Sequence, residues 1–461
     1  MPVTLEQILA AKEERQKRQK RMLSEYGTAI ASITLNIPGP EKDGPVLRQL
    51  CDYAISAMQA RLEIAAMERV NLPTGPEAIL AVRSGASAVK QIAVSLEDEH
   101  AFSRLLDIDV FDAEGRQLSR QTSGSYRSCL LCELPAAVCM RERKHGAEEI
   151  MAAVQGLLRQ FLAFQTRKIS PFAEQTGFLA VEAMLYEIAC TPSPGLVDRI
   201  NSGAHRDMDF FSFMSSSAAL SLTMARCCEA GIQHQGGLPE LLPVLRLIGL
   251  EGESAMLDAT GGVNTQKGLL FSLGVIVAAT GWLNARNQKV TATSVLQAAS
   301  QMTGGIVERE LNRLPESCGR KLTAGERLFR SHGIRGIRGE MEDGLPAVKN
   351  SALPSLRDAL KSGLSVNDSL LQTLFVLMTM VEDTTVINRH SPEKLLDWVR
   401  PLAESFLLEG GMYNEEGRPK AVELDRQFID HNVSPGGAAD LLAITWFLHR
   451  LEEWSGRGSE K

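Results

Sequence analysis

Two aspartates two positions apart, Asp107 and Asp109, stand in the run "RLLDIDVFD". The alternation is that of a strand, where side chains two apart share a face. Carboxylates so placed repel unless a cation lies between them, which is how nucleotidyl-transfer enzymes hold Mg2+ against a triphosphate; a solvent-facing strand edge has the same pattern. Just downstream, "RSCLLCELPAAVCMRERKH" sets Cys129, Cys132, Cys139 and His145 in the order C-x2-C-x6-C-x5-H. That order suits a Zn2+ site, or a helix of partly buried thiols with a basic face. Arg127, Arg141 and Arg143 in the same stretch carry the planar guanidinium that pairs with phosphate oxygens.

Farther along, five polar clusters interrupt apolar segments. "TPSPGLVDRINSGAHRDMDF" crowds Asp198, Arg199, His205, Arg206, Asp207 and Asp209 beyond a Pro- and Gly-rich turn, as a site or as a solvated loop. "TGGVNTQKGLLFSLG" offers Gly261, Gly262, Asn264 and Lys267 ahead of an apolar helix, and a helix start beside a cation suits an anion. The order is not that of GxxxxGK[ST], because Lys267 precedes Gly268 and no Ser or Thr follows. "HGIRGIRGEMEDGLP" carries Arg335, Arg338 and Glu340 around the flexible Gly336 and Gly339. "VEDTTVINRH" ends a helix with Glu382 and Asp383, followed by Arg389 and His390. "HNVSPGGAADLL" predicts a helix capped by Ser434 with Pro435 in its first turn, presenting Gly436, Gly437 and Asp440 to whatever approaches.

The elements that must position these groups differ along the chain. Strand alternation in "AIASITLNIPG" and "AVKQIAVSLED", and helical spacing in "VLRQLCDYAISAMQARL", predict an α+β region over residues 1–160. Beyond the seam, residues 168–461 read as all-α. The helical segments there are "TGFLAVEAMLYEIAC", "FFSFMSSSAALSLTMARCC", "LPELLPVLRLIGLEGESAML", "LLFSLGVIVAATGWL", "SLLQTLFVLMTMV" and "AADLLAITWFLHRLEEW". A chain of 461 residues with 44% hydrophobic content can bury a core in each of two domains. Its net charge of −7 argues against general affinity for nucleic acid or a membrane surface, so an anionic substrate needs a local basic site. The basic run Lys17 to Arg21 reads as a solvated helix face, the apolar stretch Gly268 to Ala285 as a buried core helix, and the N-terminus as no signal peptide. Eight scattered cysteines suit free thiols and a cytoplasmic setting.

"LNIPGP", "TGPEA", "SRLLDIDV" and "RSCLLCELPAAVCMRERKH" resemble the apo-citrate lyase phosphoribosyl-dephospho-CoA transferase family over residues 1 to about 155. One departure is Ser103, where that family has glycine before the arginine. The resemblance implies a nucleotidyltransferase-like domain. It would transfer a triphosphoribosyl-dephospho-CoA group to a serine of the acyl carrier protein, the gamma subunit of citrate lyase, with release of pyrophosphate. Asp107 and Asp109 would hold Mg2+, and Arg104, Arg127 and Arg141 would meet phosphates. "PGLVDRINSGAHRDMD", "TGGVNTQKG", "GIRGE" and "SPGGAADLLA" resemble the triphosphoribosyl-dephospho-CoA synthase family, with Thr385 where asparagine is expected. That resemblance implies formation of 2′-(5″-triphosphoribosyl)-3′-dephospho-CoA and adenine from ATP and 3′-dephospho-CoA. Glycosyl transfer of this kind needs help for the leaving base and a base for the attacking hydroxyl. Asp383 or Glu340 would assist adenine, and Asp207 or Asp209 would hold metal or activate the hydroxyl. Gly261, Gly262 and Lys267 would cradle the triphosphate with Arg335 or Arg338, and Asp198, His205, Arg206, Asn264, Ser434, Gly436, Gly437 and Asp440 would complete the site. The whole is a bifunctional transferase that makes and attaches a prosthetic group. Its rivals are the same chemistry on a carrier protein of the malonate decarboxylase type, an N-terminal domain that only docks the carrier, and a purely structural helical protein whose polar clusters are caps and loops.

Overall fold

An antiparallel five-stranded sheet in the order β2-β3-β1-β4-β5 organises the first part of the chain in this computed structural model. The structure describes residues 3–120, 127–132, 134–165, 169–313 and 322–458, so Cys318 lies outside the described residues. The strands are β1 (Ala29–Leu35), β2 (Ile64–Leu72), β3 (Gly75–Val82), β4 (Leu106–Phe111) and β5 (Gln117–Leu118), with helices α1 (Leu5–Tyr26), α2 (Pro45–Gln59), α3 (Ala86–Glu99), α4 (Ala136–Glu142) and α5 (Ala147–Gln165). On β4 the residues Leu106, Ile108 and Val110 are buried, while Asp107 and Asp109 face the other side, paired with Thr34 and Ser32 of β1. Helix α1 lies across that second face, where Met22 packs with Ile30, Ile79 and Ala81. Arg15 and Arg18 reach from α1 to Glu77, and Arg21 reaches Glu68. The run Lys17 to Arg21 is therefore not a purely solvated face: Arg18 is 7% exposed, because its guanidinium answers a buried carboxylate.

"AVKQIAVSLED" is a second correction, since it forms most of α3 rather than a strand. Val89, Ala93 and Leu96 are spaced four and three apart and bury one helical face, a period that short alternation mimics.

The second compact unit, Lys168–Lys461, is mostly helical. Its helices are α6 (Pro171–Ala189), α7 (Phe210–Ala219), α8 (Ser221–Gln233), α9 (Leu238–Ala259), α10 (Lys267–Ala285), α11 (Ala292–Thr303), α12 (Ala324–His332), α13 (Gly336–Glu342), α14 (Leu353–Lys361) and α15 (Val366–Met380). The short α16 (Thr384–Arg389) and α17 (Pro392–Lys394) lead to α18 (Arg400–Leu408), α19 (Gly417–Asp430) and α20 (Gly436–Gly458). Helix α10 is long and apolar enough to cross a membrane, yet 72% of that span is buried inside the protein. Its close approach to α8 depends on glycine: a Cβ at Gly281 would lie 2.1 Å from the Cys228 carbonyl oxygen, and one at Gly231 equally close to that of Ala278. "FFSFMSSSAALSLTMARCC" is broken at Leu220 into α7 and α8.

Candidate active sites

In the N-terminal unit, β4 holds Asp107 and Asp109 on one face, as its alternation requires. Arg127 Nη1 donates to Asp107 Oδ1 at 2.8 Å, and Gln117 Nε2 donates to Asp109 Oδ1 at 2.7 Å. Burial, and then the charge of Asp107, push the Asp109 carboxyl above its usual range. Two carboxylates on one strand face form an all-oxygen donor set that fits a hard divalent cation, with Arg127 meeting one oxygen of Asp107. Arg127 also donates to the carbonyls of Arg104 and Leu106, and Arg104 donates to the Cys129 carbonyl. Both guanidiniums thus brace the loop beside the aspartates. Arg141 is exposed on α4. Ser103 is fully buried, and its Oγ has no hydrogen-bond partner.

In the helical unit one cavity of about 330 Å³ gathers residues from all five polar clusters. That volume is at the lower end of the roughly 300–1,000 Å³ typical of small-molecule sites. Lys267 and Gly268 at the start of α10, and Gly436 and Gly437 at the start of α20, line it. Unpaired amides and the helix dipole give such starts partial positive charge. Asn264 Oδ1 accepts the Lys267 N–H at 3.2 Å, and the Lys267 ammonium pairs with Glu253. His205, Glu340, Ser434 and Asp440 also line the cavity.

Several expected residues have other tasks. Gly261 and Gly262 are absent from the cavity wall; with φ of 64° and 93° they end α9, Gly262 N–H bonding the Leu257 carbonyl at 2.7 Å. This is a left-handed helix stop, which explains the glycines without a phosphate. Arg335 pairs with Asp343, and Arg338 with Glu310 at 2.9 Å, so neither lines the cavity. Asp198 is 1% exposed and closes its own loop, accepting the amides of Ile200 (2.7 Å), Asn201 (3.0 Å) and Ser193 (3.2 Å). Asp209 caps α7 through Ser212 N–H at 2.8 Å, while Arg206 and Asp207 are exposed outside the cavity wall.

Asp383 is the largest departure. Its Oδ1 accepts Thr385 N–H at 2.9 Å and Val386 N–H at 3.2 Å, capping α16, while Oδ2 accepts Ala438 N–H at 3.0 Å in the first turn of α20. One buried carboxylate therefore serves two helix starts. It caps α20 where Ser434 was expected to, and Ser434 Oγ instead lies 2.9 Å from His205 Nε2. A Cβ at Gly437 would sit 3.1 Å from this carboxylate, a tight contact that glycine avoids. Thr385 places a hydroxyl-bearing side chain in the cavity wall, and its Oγ1 is 3.0 Å from where a Cβ at Gly436 would lie.

The cavity's own chemistry rests on carboxyls. Glu187, buried on α6, and Asp440 on α20 are both pushed up to about 8, each chiefly by burial; next come the charge of Asp440 on Glu187 and that of Asp383 on Asp440. Burial also raises the Glu340 carboxyl, whose Oε2 is buried without a partner. His205 is pushed down to about 4 by burial and then by Arg389, whose guanidinium lies 3.1 Å from Nδ1 and 3.3 Å from Nε2. A guanidinium only donates, so Nδ1 accepts and Nε2 carries the proton toward Ser434. Glu187 was missed by sequence reasoning; its signal was one carboxylate inside the apolar run "MLYEIAC". Glu382 and Arg389 also line the cavity.

Residues 173–459 match the family described as ATP:dephospho-CoA triphosphoribosyl transferase, and residues 3–161 match apo-citrate lyase phosphoribosyl-dephospho-CoA transferase. The chain is 36% identical to Protein CitXG of Leuconostoc mesenteroides subsp. cremoris, over 97% of both chains. It is 32% identical to Protein CitXG of Haemophilus influenzae, over 96% of both. The 2-(5''-triphosphoribosyl)-3'-dephosphocoenzyme-A synthase of Pectobacterium atrosepticum is 40% identical over 61% of this chain and 92% of its own length.

Proposed function

Because the chain belongs to the ATP:dephospho-CoA triphosphoribosyl transferase family in its helical part, and to the apo-citrate lyase phosphoribosyl-dephospho-CoA transferase family in its first part, we propose two active sites with consecutive tasks. The protein is a bifunctional transferase of citrate lyase maturation. The helical cavity joins ATP and 3′-dephospho-CoA into 2′-(5″-triphosphoribosyl)-3′-dephospho-CoA, with loss of adenine. The first unit, nucleotidyltransferase-like in its chemistry, passes that group to a serine of the acyl carrier protein, the gamma subunit, and releases pyrophosphate. We place both steps in the cytoplasm.

The observation that carries the synthase reading is one cavity joining the starts of α10 and α20 with Lys267 and a set of protonated or crowded carboxyls. The helix starts and Lys267 meet triphosphate oxygens and fix the ribose, making attack effectively intramolecular. Mg2+ would be held by Glu187 and Asp440 and would neutralise phosphate charge there. Glu340, on the cavity wall with its carboxyl raised by burial, is the group that donates a hydrogen bond or proton to the departing adenine. His205, neutral and oriented by Arg389, holds Ser434 for the ribose hydroxyls; it is too weak a base to take their proton. Glu382, exposed on the wall, is the acceptor for the attacking hydroxyl. In the first unit, Asp107 and Asp109 would hold Mg2+, which would offset charge on the leaving pyrophosphate, and Arg127 keeps Asp107 in register.

Incubation with ATP, Mg2+ and 3′-dephospho-CoA should release adenine by chromatography, and apo carrier protein added next should gain the prosthetic-group mass. Folded protein that releases no adenine would refute the synthase reading. Adenine without the mass gain on citrate lyase carrier, but with gain on a malonate decarboxylase carrier, would reassign the partner.

A further inference from the structure

Cys129, Cys132, Cys139 and His145 bring their ligand atoms within 4.8 Å of one another, although they come from a loop, a helix and the turn after it. Three local devices make this convergence. The loop closes on itself through Cys129 N–H to the Leu134 carbonyl (2.7 Å) and Ala136 N–H to the Arg127 carbonyl (2.9 Å). Leu131 N–H then points at Cys129 Sγ, 3.5 Å away, the polarity that stabilises a thiolate. Arg143 takes a left-handed φ of 48° after α4, turning the chain so that His145 Nε2 comes 3.4 Å from Cys132 Sγ. Cys132 Sγ is also 3.4 Å from Cys139 Sγ.

The two separations of 3.4 Å are close to those of a tetrahedron around a metal, and all four ligand atoms lie within 4.8 Å of one another. Zinc–sulfur bonds of about 2.3 Å and zinc–nitrogen bonds of about 2.0 Å put adjacent ligand atoms roughly 3.5–3.8 Å apart. A disulfide would employ two of the four groups at about 2 Å and leave the convergence of His145 unexplained. We infer that the three cysteines and His145 bind one zinc ion with no coordination position left for substrate, so that the metal is structural. Its consequence is local. The clamped loop begins at Arg127, which bonds Asp107, and its Cys129 carbonyl receives Arg104, so zinc fixes the floor of the aspartate site.

The test is metal content of the full, untagged chain, purified under reducing conditions without chelator, measured by plasma mass spectrometry. The expected result is about one zinc per chain, falling below about a tenth in both Cys132→Ser and Cys139→Ser. Cobalt exchanged into the wild-type chain should give thiolate-to-cobalt absorption and the strong visible bands of tetrahedral coordination. A wild-type chain that holds no zinc and gives no thiolate–cobalt absorption overturns the site, as does zinc retained by both variants. Adenine release should stay within about twofold in both variants, confirming that the helical unit is folded. With Mg2+ in excess, removing zinc with a selective chelator should abolish carrier-protein transfer, and added zinc should restore it. Full transfer by the zinc-free chain would overturn the role assigned to the loop. Metal content is measured independently of either activity, so failure of this site and failure of the proposed reactions are distinguishable.

Discussion

Replacing Asp383 separates two roles that one carboxylate can have in the helical unit, anchor or proton donor. Its oxygens accept three amides at 2.9, 3.2 and 3.0 Å from the starts of α16 and α20. Losing a cap costs about 1 kcal/mol per helix start, and amides left buried without partners add about 1–3 kcal/mol. Asp383→Ala should therefore lose about 3–4 kcal/mol, and Asp383→Asn about 2 kcal/mol, because its amide would present a donor to the Ala438 N–H. All four tryptophans, Trp282, Trp398, Trp446 and Trp454, lie in the helical unit, so their fluorescence in urea reports that unit alone. With an m-value of about 3 kcal/mol/M, the alanine variant should shift the midpoint down by about 1 M. Adenine release per folded Asp383→Asn molecule should stay within about threefold of wild type. An unchanged midpoint with release reduced about a hundredfold or more would refute the anchoring argument and restore Asp383 as the acid.

The raised carboxyls predict a pH dependence. Glu187 and Asp440, held at about 8, keep protons that the unfolded chain has already released, so stability without ligand falls as pH rises toward 8. His205, at about 4, works in the opposite direction below its unfolded value of about 6.5, which makes pH 6.5–8 the diagnostic window. The unfolding free energy from urea titrations should drop across it, by roughly 2 kcal/mol per pH unit for the two carboxyls together, and Glu187→Gln should flatten the slope; a stability that rises with pH counts against the pair. Lys267→Ala should lower kcat/KM for ATP about tenfold, while Arg335→Ala, outside the cavity, changes it less than about twofold. The reverse ranking in steady-state adenine assays would contradict the cradle drawn at α10. Asp107→Asn should abolish the carrier-protein mass gain and leave adenine release intact; persisting transfer would make the first unit a docking module.

How much the sequence disclosed depended on how local each cause is. The spacing in "VLRQLCDYAISAMQARL" identifies α2 because Leu47, Leu50, Cys51, Ala54, Ile55 and Met58 bury one face. Asp107 and Asp109 share a face for an equally local reason, the pleat of β4. The break at Leu220 is not legible because apolar residues run through it without Pro or Gly. Gly261 and Gly262 look like a phosphate loop in one dimension and are a helix stop in three. The partner of α20's first turn stands 55 residues before Ala438, too far along the chain for local spacing to disclose, whereas Ser434 is close by in the sequence. The five polar clusters were visible, but which members face one another was decided by packing.

The electrostatics of the cavity argue for a metal-bound nucleotide rather than a bare one. Glu187, Glu340, Glu382 and Asp440 outnumber Lys267 and Arg389 on its wall, and His205 adds no charge at neutral pH. Glu382, and any of the other carboxyls that gives up its proton, would repel a bare triphosphate. Burial, and then a neighbouring aspartate, keep protons on Glu187 and Asp440, and the starts of α10 and α20 add partial positive charge. A Cβ at Gly268 would lie 2.5 Å from Asp440 Oδ2, so the carboxyl stands against the α10 start where phosphate oxygens are expected. A divalent cation arriving with the nucleotide would replace the proton on that carboxyl and pair with the phosphates at the same time. Acidic groups beside helix starts are thus compatible with phosphate binding when the ligand brings its own positive charge.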